Sequence, residues 1–109
     1  MKVTYKKHKN TEKNNEIEFL LINWYYEDGG DYLAEIFHEE FGMLVDEKID
    51  GIYCSITKLH LEEVTYELWW HEDFGNMIYS IDQTEEAINT LEERLNIVLN
   101  ILNEKLKDI

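Results

Sequence analysis

The sequence contains no proline, a single cysteine, and only 10 Lys and Arg against 24 Asp and Glu. Each shortage excludes something. Without proline, turns must be built from Gly, Asn and Asp, which tolerate turn backbone conformations. The lone Cys54 excludes an internal disulfide and fits a reducing compartment. No run of about 18 apolar residues is present, so no membrane-spanning helix is expected. The opening MKVTYKKHKN has no apolar stretch behind its lysines, so no secretory signal is expected, and the expected location is cytoplasmic.

The shortage of positive charge is uneven. Residues 1–13 hold Lys2, Lys6, Lys7, Lys9 and Lys13 against Glu12, for a net charge of +4. Residues 14–104 hold 22 acids against Lys48, Lys58 and Arg94, for a net charge of -19. Such a field repels phosphate-bearing nucleic acid and anionic membrane and attracts basic proteins. Disorder does not follow from the charge. Acidic disordered chains are poor in aromatics, whereas this one has 3 Trp, 7 Tyr and 4 Phe.

What is present points to one α+β domain spanning residues 1–109. Residues 1–13 read as a basic edge strand, with Val3 and Tyr5 alternating with Lys, or as a frayed arm. Ile17 to Tyr26 is apolar on all sides and suits a buried helix or a strand. The preceding TEKNNE resembles a helix start, so a helix ending at Asp28-Gly29-Gly30 is expected. Asp31 then caps a second expected helix over residues 32–45, with Leu33, Ile36, Phe37, Phe41 and Leu44 at helical spacing. After the Asp50-Gly51 turn the apolar period becomes two. Ile52, Cys54 and Ile56 form one strand. Val64 to His71 and Met77 to Ile81 form a hairpin. A long C-terminal helix follows, with Asp82 or Thr84 as N-cap and Ile88, Leu91, Leu95, Val98, Leu102 and Leu106 on its apolar stripe. The expected architecture is therefore about three antiparallel strands packed by two or three helices.

The same residues argue against catalysis. A helical zinc protease motif needs a second His four residues after the first. Gly42 and Gly75 occupy those positions after His38 and His71, and no other metal-ligand spacing exists. Ser55, Ser80 and Cys54 fall in expected strands without a nucleophile elbow. Paired carboxylates such as Glu62-Glu63 and Glu92-Glu93 are what an acidic chain produces by composition. Gly29-Gly30 carries no phosphate-binding motif. No catalytic residue, metal site or cofactor is expected.

Binding is better supported. In the stretch Glu67 to Phe74, the adjacent Trp69 and Trp70 must point to opposite sheet faces. Trp70 shares a face with Tyr66 and Leu68 and is the expected core member. Trp69 shares its face with Glu67 and His71. It is either covered by a helix or serves as an aromatic anchor ringed by Glu72 and Asp73. Trp24 to Asp28 is a second aromatic and acidic cluster, containing Glu27 and Asp28. Asp31, Glu35, Glu39 and Glu40 extend it along the second helix. These acids and aromatics are the expected contacts for a basic protein partner, without direct nucleic-acid or membrane binding.

In length, acidity, aromatic content and absence of catalytic motifs, the chain resembles the small acidic cytosolic immunity proteins of bacterial toxin–immunity systems. The resemblance is one of type and carries over no site residue. It implies an inhibitor that binds one basic, nuclease-type toxin and blocks its active site or substrate path. A phage-type DNA mimic uses the same physics. A small ligand-binding, enzymatic or oligomerisation domain is the alternative from another class. Ile97 and Ile101 leave monomer and homodimer open.

Overall fold

The computed structural model describes residues 2–107; Met1, Asp108 and Ile109 of the expected single domain lie outside the described residues. The architecture is α+β, with six antiparallel strands rather than the expected three, and two helices. The strands are β1 (Thr4–Asn10), β2 (Glu16–Ile22), β3 (Leu44–Asp50), β4 (Cys54–Leu61), β5 (Val64–His71) and β6 (Gly75–Ser80). The helices are α1 (Gly29–Phe41) and α2 (Glu85–Leu106). The sheet order is β1-β2-β6-β5-β4-β3.

The three additional strands have separate physical causes. The apolar run expected to be a helix is β2, an interior strand held between β1 and β6. Phe19 and Leu21 point into the core while Leu20 and Ile22 line the other face. A strand apolar on both faces shows no alternation. The TEKNNE segment begins no long helix. Thr11–Lys13 make a single 3-10 turn, and Asn14 and Asn15 then adopt positive φ of 55° and 63° to close the hairpin. The lysine-rich start is β1, an edge strand, rather than a frayed arm.

The strand β3 was concealed differently. The expected second helix stops at Phe41 because Gly42 takes a left-handed φ of 77°, and its N–H closes onto the His38 carbonyl. Leu44–Asp50 then forms the other sheet edge, exposed along its whole length and interrupted by a bulge between Val45 and Glu47. Exposed, charged and bulged strands lack an apolar period, and these features also protect an open edge from unwanted pairing. Asp31 lies within α1 rather than capping it. Asp28 is the N-cap residue and makes no side-chain cap.

Both helices lie on one face of the sheet. α2 crosses the β1–β2–β6 half. Asn103 bonds both the N–H and the carbonyl of Val3, and Tyr5 donates to Glu92 at 2.7 Å. α1 covers the β3–β5 half and packs against α2. A single apolar cluster fills the space, joining Phe19, Leu21, Leu59, Tyr66, Leu68 and Ile78 of the sheet to Leu33, Phe37, Leu91, Leu95 and Leu102 of the helices. The start of α2 follows the sequence reading in part. Thr84 is the N-cap and accepts from the Ala87 N–H, while Asp82 accepts from the Thr84 N–H instead of pairing with Glu85. Ile97 is exposed, and Ile101 packs at the margin of the core.

Candidate protein-interaction surface

Three connections meet at one end of the sheet: Asn23–Asp28 between β2 and α1, Gly51–Tyr53 between β3 and β4, and Glu72–Phe74 between β5 and β6. Strand ladders fix this convergence, because Ile22, Gly75, His71 and Cys54 end or begin adjacent strands. Tyr25 is 55% exposed, Tyr26 63%, Ile52 87% and Tyr53 62%, with Phe74 beside them. Glu27, Asp28, Asp50, Glu72 and Asp73 stand among these side chains, all exposed. Clustered exposed apolar side chains rimmed by charge mark interaction surfaces in soluble proteins.

The tip is tied to the sheet by hydrogen bonds from below. Asn76, buried on β6, donates through Nδ2 to the carbonyls of Trp24 at 2.9 Å and Tyr26 at 3.0 Å. Between them, the Tyr25 carbonyl accepts from Trp70 Nε1 at 3.1 Å. Trp24 is buried, donates to the Gly29 carbonyl and meets Tyr26 and Tyr32 edge to face. The Glu72 N–H bonds the Tyr53 carbonyl at 2.9 Å, tying two of the connections together. His71 stacks on Phe74 at 4.8 Å, and its Nδ1 accepts from the Asp73 N–H. Backbone tied in this way, with Tyr26 and Phe74 packed on neighbouring rings, reduces the ordering cost of binding.

The sequence-derived contacts divide between three places. Glu72, Asp73, Glu27 and Asp28 come together at the tip. Asp31 stands just behind it, paired with Lys48 at 3.1 Å. The Asp31 carboxylate bonded to Lys48 holds that ammonium above its ordinary pKa range, against a smaller opposing effect of burial. Glu35, Glu39 and Glu40 leave the tip along α1, Glu40 by about 16 Å at the helical rise. Glu39 there approaches Lys105.

Glu67, Trp69 and His71 line the sheet face that carries no helix. Among the described residues no helix covers Trp69, which is half-buried in a cross-strand apolar row of Leu20, Met77, Trp69, Ile56 and Ile49. Glu67 Oε1 accepts from Trp69 Nε1 at 3.1 Å and from the Tyr79 hydroxyl. Trp70 faces the helices as expected, yet it is only half-buried and reaches Tyr25. Cys54 is half-buried.

Sequence reasoning missed Ile52 and Tyr53, which were read as strand. The Asp50-Gly51 turn extends to Tyr53, so both side chains leave the sheet. It also missed the supporting roles of Asn76 and Gly75, for which a polar residue and a glycine opening an apolar strand were the available signal.

Burial, followed by the hydrogen bond to the Glu67 carboxylate, pushes the Tyr79 phenol well above its ordinary range. Tyr79 therefore stays neutral in the fold while the unfolded chain ionises near pH 10. This contribution to stability is complete below about pH 10 and is lost as pH rises beyond it. Denaturant melts between about pH 9 and 12 should show a shallower loss for Tyr79→Phe than for the parent protein. Parallel curves would mean that Tyr79 ionises equally well in both states.

Among the described residues, no three His, Cys, Asp or Glu side chains group to hold a metal ion, and no helix is long and apolar enough to cross a membrane. Comparison with protein-family models, curated proteins and solved structures finds no match.

Proposed function

We propose that this protein is a binding protein of the immunity type, which neutralises a basic, nuclease-like toxin by docking the three-connection tip over the toxin's substrate path. The observation that carries this reading is the joint display of Tyr25, Tyr26, Ile52, Tyr53 and Phe74 among five exposed carboxylates. Aromatic anchors supply contact area at small entropic cost, and hot spots are rich in Tyr. The carboxylates stand in for the phosphates that a nuclease holds, and the net charge of -14 steers encounter. The chain would act by occupation, with no catalytic step of its own.

The test begins with the neighbouring reading frame. Its product should be basic, toxic when expressed alone and harmless when co-expressed with this chain. Stopped-flow association should slow steeply between low and high salt, mainly through the association rate. Tyr53→Ala should cost about 2 kcal/mol of binding, and Glu72→Lys with Asp73→Lys should slow association, both without a change in thermal stability. A salt-independent rate, or full binding by all these variants, rejects the tip as the inhibitory surface.

A further inference from the structure

The helix-free face holds a second arrangement, separate from the tip. Lys13, at the end of the 3-10 turn in the β1–β2 hairpin, lies over the six-stranded sheet with its Nζ 4.9 Å from the Trp69 ring centre and 6.0 Å from that of Tyr79. An ammonium above aromatic faces is attracted by the negative face of each ring. Among the described residues, the Lys13 side chain makes no ion pair or hydrogen bond, and the two rings are the contacts of its ammonium. The turn that carries it is exposed.

Carboxylates flank the rings. Antiparallel register places Tyr79, Glu67 and Lys58 in one cross-strand row on this face and His8 beside Glu18, and the Phe19–Ile78 pair brings Glu18 next to the strand that carries Tyr79. Glu67 receives the Tyr79 hydroxyl and the Trp69 indole N–H. Glu18 is only 2% exposed, on a face without helices. Its Oε1 meets His8 Nδ1 at 3.4 Å and Asn10 Nδ2 at 3.3 Å. Its Oε2 is buried with no hydrogen-bond partner among the described residues. A buried carboxylate oxygen without a donor is unfavourable, and it sits one strand from Tyr79.

We propose that Trp69, Tyr79, Glu67 and Glu18 form a receiving cage for a lysine or arginine side chain of a basic polypeptide, and that Lys13 is the built-in occupant which the incoming cation displaces. The rings supply the cation-facing surface. Glu67 supplies the opposite charge, and Glu18 Oε2 supplies the acceptor that an additional N–H donor would satisfy. The apolar row from Leu20 to Ile49 gives the stem of the guest side chain a surface to lie along. The inference extends the reading of a basic partner to a second surface, yet its chemistry is testable without any toxin.

The probe is a fluorescein-labelled tetralysine peptide, read by fluorescence polarisation at low ionic strength. Lys13→Ala should tighten peptide binding about threefold or more beyond the parent protein, in proportion to the loss of a competing cation–π contact. Lys9→Ala removes the same charge from the same basic segment but stands on the opposite face of β1, and should change binding far less. Adding Trp69→Leu to Lys13→Ala should remove the gain. Because Trp69 also packs within the sheet, Glu67→Gln in the Lys13→Ala protein provides a second variant with the same expected loss. Equal gains from Lys13→Ala and Lys9→Ala, or a gain that survives both cage substitutions in folded protein, overturns the cage and leaves only general charge attraction. The toxin assays can fail while this result stands, and the reverse.

Discussion

Leu95→Ala should lower the unfolding free energy by about 2–5 kcal/mol, the range for truncating a fully buried leucine. Leu95 has no exposed surface and lies in the middle of α2, within the cluster that joins Leu91, Val98 and Leu102 to Phe19 and Ile78. Removing its isopropyl group leaves a cavity into which the surrounding side chains relax only in part. A domain of this size has roughly 5–15 kcal/mol in total, so the loss should be plain in denaturant melts as a fall in midpoint at unchanged slope. Ile97→Ala, on the exposed side of the same helix, should cost far less. A loss under about half a kcal/mol at Leu95 would contradict its place in the core, since full burial of that side chain is what sets the scale.

Gly75→Ala should be comparably damaging for a different reason. Gly75 opens β6 with a φ of +83°, a conformation that alanine adopts with strain. A Cβ there would come 2.6 Å from Tyr25 Cδ1 and 3.2 Å from Tyr25 Cα, so the backbone of the neighbouring connection must move as well as the ring. The two effects together should cost about 2–4 kcal/mol. Movement of Tyr25 should also disturb the carbonyls that Trp70 and Asn76 hold, so partner binding should weaken beyond what the loss of stability explains. Denaturant melts together with association measurements on the remaining folded protein check both parts. A Gly75→Ala protein of parent stability and parent affinity would mean that the tip adjusts freely.

The elements most legible in the sequence were those with one wet face and one dry one. β5 shows this alternation, and the stripe of α2 shows the helical equivalent. β2 escaped because it is apolar on both faces, and β3 because its apolar residues, Leu44, Val45 and Ile49, are exposed and follow no strand period across the bulge. The individual pieces of the tip were also legible, as acid and aromatic clusters at Trp24 to Asp28 and at Trp69 to Phe74. Their meeting was not. It depends on β2 pairing with β6, a contact between distant parts of the chain that no local pattern encodes, and on Asn76 reaching back to residues about fifty positions earlier. Trp69 was placed correctly opposite Trp70. That the helices would leave its face bare depended on where α1 and α2 cross the sheet, which periodicity does not determine.

The β2–β6 ladder, carried by Phe19 opposite Ile78 and Leu20 opposite Met77, has one more consequence. Every other pairing in the sheet joins strands that follow one another in the chain. The sheet is thus a four-strand meander and a separate hairpin meeting along a single seam. Loop-closure entropy favours the local pairings within each part and makes the seam, which joins residues about sixty positions apart, the costlier contact to form. Lys13 rides on the hairpin and Trp69 on the meander, so their contact spans the seam and records whether the two halves have met. Fraying along that line would release the lysine and bare the aromatic rings in one movement, while the tip, whose Tyr25 and Tyr26 are tied by Asn76 and Trp70 to the meander, would keep its bonds to β5 and β6.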